Sequence, residues 1–176
     1  MSDLVPIRSN ALAIRDRNVP QPSEIQILTF RIGAYLFALQ LEQVREVTLP
    51  PPITPIPHAS NLVGGYVNLR GTIHLVIDLR QLLQAGEQSP IADHRLVLLE
   101  SPGNDPFGVL VDAIGDIERL SRDRIEPPSS AMVELPGEDL LLGIGKRQGE
   151  LCLLLDAERL IPLLEQSLTI PSPASS

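Results

Sequence analysis

Gly65-Tyr66-Val67-Asn68-Leu69-Arg70-Gly71-Thr72-Ile73-His74-Leu75-Val76-Ile77-Asp78 holds two short apolar runs that meet across Arg70-Gly71. Glycine supplies the positive φ that a tight hairpin turn needs, so the stretch reads as two antiparallel strands, with Asp78 placed to cap a short helix through Leu83. The same grammar recurs upstream. In Ile25 to Ile32 the positions Leu28, Phe30 and Ile32 share one face, and Gly33-Ala34 turns the chain into Tyr35 to Leu39, a second hairpin. Leu41, Val44 and Val47 then recur every three residues, which suggests a helical turn, and the prolines between Pro50 and Pro57 impose an extended loop.

The order repeats. Phe107-Gly-Val-Leu-Val-Asp-Ala-Ile-Gly-Asp-Ile117 lies over Phe37-Ala-Leu-Gln-Leu-Glu-Gln-Val-Arg-Glu-Val47, with Phe107 on Phe37, Ile114 on Val44 and Ile117 on Val47. Further on, Gly149, Asp156 and Leu160 lie over Gly71, Asp78 and Leu82, after a longer middle loop around Pro127, Pro128 and Pro136. The expected fold class is therefore mainly β, an internal duplication with short helices and a C-terminal helix bearing Leu160, Ile161 and Leu164 on one face. The expected boundaries are a core over 25–164, with subdomains 25–90 and 91–164, an N-terminal extension over 1–24 and a tail over 165–176. Each copy is near the lower limit for an independent core, so the two are expected to share a buried interface.

Composition excludes several functions. Among 176 residues, 14 Lys and Arg face 22 Asp and Glu, a formal net charge of −8, so no basic field exists for nucleic acid. Hydrophobic residues make up 43% but aromatics only 3%, with no Trp, so the core must be built from Leu, Ile and Val. The segment from Val47 to Leu69 is free of Asp, Glu, Lys and Arg, yet its prolines rule out a membrane-inserted helix. No apolar signal region opens the chain, and the single cysteine, Cys152, reads as a small apolar residue in a strand, which fits a reducing cytoplasmic setting. His58, His74 and His94 lack metal-ligand spacing, and His74 shares a strand face with Val76, as a satisfied and partly buried histidine would. Gly143 to Gly149 lacks the Gly-Lys-Ser/Thr ending of a phosphate loop and reads as another hairpin, so no cofactor is expected. Asp112, Asp116 and Glu118 read as a solvated edge, with a carboxylate pair as the alternative. Aligning Gly71 with Gly149 sets Gln148 opposite Arg70, so the turn itself does not require arginine. A rigid hairpin presenting a guanidinium suits a protein partner.

Asn68-Leu69-Arg70-Gly71, then Ile73 and Val76-Ile77-Asp78-Leu79-Arg80, closely resemble the signature of CheW, the coupling protein of bacterial chemosensory arrays. The resemblance runs from about Ile25 to Leu164 and takes in Tyr35 to Leu39, Val44 to Val47, Ile53 to Gly65, Gly108 to Asp112 and Leu153 to Leu160. His74 stands where the family usually has an aliphatic residue, and Leu75 where it often has proline. The resemblance implies two packed five-stranded β-barrel subdomains and a non-enzymatic adaptor without a cofactor or metal, cytoplasmic and associated with receptor arrays at the inner face of the membrane. One surface would bind the regulatory domain of a CheA-type histidine kinase, and another the cytoplasmic tip of methyl-accepting chemoreceptors. By position in the motif, Arg70, Glu46, Val44 and Leu96 would line the receptor-facing groove. Two other readings stay open: a scaffold of the same fold with a different client, and an enzyme on a duplicated barrel, which a concave site with a perturbed carboxylate pair would reveal.

Overall fold

The structure is a computed structural model that describes residues 22–84, 94–101, 106–128 and 137–168. Most of the expected extension and tail lies outside these residues, as do the side chain of Leu164 and the loop carrying Pro136. Among the described residues eleven strands and two α-helices follow in order: β1 (Glu24–Ile32), β2 (Tyr35–Gln40), β3 (Val44–Thr48), β4 (Val63–Leu69), β5 (Thr72–Asp78), α1 (Leu79–Leu82), β6 (Arg95–Leu99), β7 (Phe107–Val111), β8 (Ala113–Ser121), β9 (Ile125–Glu126), β10 (Leu141–Arg147), β11 (Glu150–Leu155) and α2 (Ala157–Leu168). Asp78 caps α1 by accepting from the Arg80 backbone N–H, and Asp156 accepts from that of Glu158 at the start of α2, as the duplication requires.

Two sheets form, ordered β8-β1-β2-β11-β10-β9 and β3-β6-β7-β5-β4. They are open along their hydrogen-bonded order, which corrects the expectation of closed five-stranded barrels. Nor do they divide near residue 90: each sheet takes strands from both copies, so the halves 25–90 and 91–164 are interleaved rather than adjacent. The duplication survives as a pseudo-symmetry between the sheets. Val47 opposite Val97 is matched by Ile117 opposite Leu28, and the parallel pair Leu75–Phe107 by Leu153–Phe37. The copies have exchanged partners, so that β2 of the first pairs with β11 of the second while β7 of the second pairs with β5 of the first.

The three-residue spacing of Val44 and Val47 is a bulged strand and not a helical turn; only Leu41–Gln43 coils, as one turn of 3-10 helix. A register shift between Val44 and Glu46 inserts one extra residue, which turns Val47 back to the face that Val44 occupies. A matching shift in β8 does the same for Ile114 and Ile117. Two glycines serve a second pair of bulges. Gly65, at φ 135°, has the Thr54 carbonyl oxygen 2.2 Å from where a Cβ would stand, and at Gly143 the Ile125 Cγ2 is 2.4 Å away. Both admit a crossing segment: Thr54 bridges Tyr66, and β9 pairs with Ile144 and Gly145.

Three apolar clusters follow from strand alternation. The largest lies between the sheets and joins Leu28, Phe30 and Phe37 to Ile77, Val97 and Val109, with Leu160 of α2 against it; Ile161 packs at its margin. The other two line the inner faces of the curled sheets: Ile27, Leu36, Ala38, Cys152 and Leu154 in one, Val67, Val76, Leu96, Leu98 and Leu110 in the other. A polar pin crosses near the central cluster. Asp112, directly after β7, pairs with buried Arg80 of α1 and accepts from the Gly33 backbone N–H of the β1–β2 turn at 2.6 Å, while His94 Nε2 lies 3.6 Å from its other oxygen. Asp112 therefore does not pair with Asp116 or Glu118: those two stay on the edge strand β8, with Asp116 exposed, as the solvated-edge reading expects, and only Asp112 departs from it by turning inward.

Candidate functional site

The β4–β5 turn places Arg70 at φ 50° and Gly71 at φ 86°, and Asn68 Oδ1 accepts from the Gly71 N–H at 3.0 Å. Two consecutive positive φ values give the twist that a two-residue hairpin needs. The equivalent turn holds Gln148 at φ 48° and Gly149 at φ 84°, so the left-handed backbone belongs to the turn and the guanidinium is a separate choice of side chain. That guanidinium pairs with Glu46 of β3. The two lie at opposite edges of the five-stranded sheet, so the sheet must curl until its edges approach, and the Arg70–Glu46 pair clasps the remaining seam.

With the Arg70 side chain 73% exposed and that of Glu46 35%, the clasp contributes at most about 1 kcal/mol to folding. Its value is a fixed, solvent-facing charge pattern at a rigid hairpin tip. Beneath it sits His74, only 6% exposed, its Nδ1 buried with no hydrogen-bond partner among the described residues, which corrects the reading of a satisfied histidine. Burial, then the nearby Arg45 and Arg70 charges, push the imidazole pKa below its ordinary value, with Glu46 opposing. Apolar side chains stand exposed on the outer face beside them: Val47, on the face of β3 that Val44 occupies, Leu49 just past β3, and Ile73 of β5.

Of the four residues expected at the groove, Arg70 and Glu46 are brought together. Val44 is half-buried on the other face of β3, where it packs toward the cluster between the sheets. Leu96 is fully buried with Val67, Val76 and Leu98, and its side chain is core rather than a contact for a partner. Sequence reading passed over Arg45 and the charge environment of His74. It also passed over a second clasp that the repeat could have disclosed, since Asp116 lies over Glu46. There Arg147 of β10 reaches Asp116 at 3.2 Å and also pairs with Glu118 of β8.

Cys152 occupies the place of His74 in the other sheet; burial pushes its thiol up to about 11, so it stays protonated and unreactive at neutral pH. Among the described residues no group of three or more His, Cys, Asp or Glu is arranged to hold a metal ion, and no helix is long and apolar enough to cross a membrane.

A family model described as the CheW-like domain matches residues 26–165. The chain is 27% identical over 141 residues to the chemotaxis protein CheW of Rhizobium meliloti, covering 80% of this chain and 90% of that protein. It is 28% identical over 144 residues to the chemotaxis protein CheW of Klebsiella aerogenes, covering 81% and 85%. The crystal structure of the scaffolding protein TtCheW from Thermoanaerobacter tengcongensis superposes with a TM-score of 0.72 at 28% identity, covering 80% of this chain and 90% of that one.

Proposed function

The chain belongs to the CheW-like domain family, and from that premise we propose that it docks chemoreceptors through the Arg70–Glu46 seam. It is a non-enzymatic adaptor of a bacterial chemosensory array that couples methyl-accepting receptors to a CheA-type histidine kinase. The observation that carries the choice of seam is a salt bridge held on a rigid hairpin at high exposure, where it adds little to stability. An amphipathic receptor helix is a suitable occupant. Val47 and Ile73, exposed on the outer face of the sheet that Val44 shares, and Leu49 just past β3 offer apolar contact, and Glu46 and Arg70 set its register through charge at the seam.

Coupling then needs no bond made or broken. A receptor state that changes the free energy of docking also changes, through the same rigid body, the free energy of kinase docking or activation, typically by about 1–3 kcal/mol. The continuous core between the interleaved sheets is well suited to this, because neither sheet can shift without repacking the other. The working place of the protein is the cytoplasmic face of the membrane, held there by receptors and not by insertion.

Co-sedimentation of the full chain with receptor signalling-tip fragments, with and without the kinase, tests the assignment. The expected result is recovery of all three in one pelleted complex, and receptor binding by the adaptor alone. Recovery with receptor but never with kinase would instead mark a scaffold with a different client.

A further inference from the structure

We propose that His74 is an acid-sensitive release for the Arg70–Glu46 clasp: protonation draws the Glu46 carboxylate from Arg70 to the imidazolium and weakens docking at the seam. The inference rests on the docking reading above and adds regulation to it.

The geometry begins with strand register. Glu46 stands opposite Leu98, and His74 opposite Val67. Leu98 and Val67 both belong to the cluster lining the inner face of the curled sheet. Directly paired residues in a sheet project to one side, so Glu46 and His74 point into the same interior from opposite edges. The charged groups facing the imidazole are Arg45 and Glu46 from β3 and Arg70 from the β4–β5 turn. The apolar side chains gathered on this face are Val67, Val76, Leu96, Leu98 and Leu110, and Thr48, opposite Leu96, shares it.

A neutral imidazole is tolerated in this setting. A charged one meets two guanidinium groups, an apolar cluster and one carboxylate, and among the described residues acting on it Glu46 is the one that offsets its charge. The Nδ1 that lacks a partner becomes an obligatory donor on protonation, and Glu46 can satisfy it only by giving up part of its contact with Arg70. The other sheet shows what the position otherwise accommodates: Cys152 stands in the place of His74, and its seam is clasped by Arg147 through two carboxylates with no histidine beneath. The histidine is thus a property of one seam, the one carrying the exposed arginine.

The sign follows from the direction of the shift. Above the ordinary histidine value the imidazole is neutral whether the chain is folded or unfolded, and pH has no leverage through it. As pH falls below that value the unfolded chain takes up a proton that the native fold resists, so the fold loses stability toward acid until the native imidazole itself is charged.

Two measurements on the intact chain test this. In the first, binding of a receptor signalling-tip fragment is titrated at pH 7.5 and 5.5 for wild type and His74→Val. Wild type is expected to lose affinity about tenfold more than the variant across this interval. Parallel losses in the two proteins would overturn the proposal. The second needs no partner: the Arg70 Nε–Hε resonance is followed while the His74 ring is titrated by NMR. It is expected to shift with the same midpoint as the ring in wild type and to stay flat in His74→Val. An Arg70 signal indifferent to His74 would also overturn the proposal. Failure of wild type to bind the fragment at pH 7.5 would instead remove the docking reading, with the acid response of the clasp still decided by the second measurement.

Discussion

Severed between residues 84 and 94, the chain is expected to yield two fragments that do not fold separately and that regain native β structure when mixed. The first fragment retains only the β1–β2 and β4–β5 pairings, because β3 pairs with β6 and the parallel partners of β2 and β5 are β11 and β7. The second keeps β6–β7 and β9–β10–β11 but loses β1, the partner of β8. Isolated hairpins are marginal in water, and the central cluster that would hold them draws residues from both fragments. Far-UV circular dichroism and size exclusion of each fragment and of the mixture make the test. A cooperative melt from the first fragment alone would mean that the exchange of strands is not what holds the fold.

Asp112→Ala is expected to destabilise the chain by about 3–5 kcal/mol, because it takes the carboxylate from a guanidinium only 6% exposed. The same change deletes the acceptor of the Gly33 N–H, and so loosens the β1–β2 turn where it meets α1. At roughly 2–4 °C per kcal/mol for a chain of this size, the thermal midpoint should fall by about 6–20 °C. Arg31→Ala, which breaks an exposed pair with Glu150, is the control and should cost no more than about 1 kcal/mol. A loss of similar size in both variants would remove the distinction between the buried pin and a surface ion pair.

How far the sequence disclosed this fold depends on the range of the interaction. Hairpins are local, and the glycine turns after Arg70 and Gln148, the capping role of Asp78, and the repeat of the same motifs in the same order in the two copies were all legible. Partner choice is not local. In a duplicated chain β2 is nearly as compatible with β5 as with β11, so alternation alone cannot reveal that the copies exchange strands. The bulge at Arg45 misled for a related reason: adding one residue to a period of two gives three, which imitates a helix. At the site, the charge of Arg70 and Glu46 was readable but the closure of the seam was not, because it follows from sheet curl. Leu96 looked like a groove residue only while the inner cluster was unseen. His74 sits on the face expected, yet its missing partner emerges only from three-dimensional packing.

The most direct measurement is receptor and kinase binding by Arg70→Glu beside wild type, with the thermal midpoint of each recorded. Charge reversal at an exposed turn tip should leave the midpoint within a few degrees, since a surface pair contributes about 0–1 kcal/mol. It nevertheless sets like charge against Glu46 at the point where a receptor helix would take its register. The expected outcome is a folded protein that retains the kinase and loses the receptor. A folded Arg70→Glu that binds receptor as wild type does would contradict the assignment of the seam.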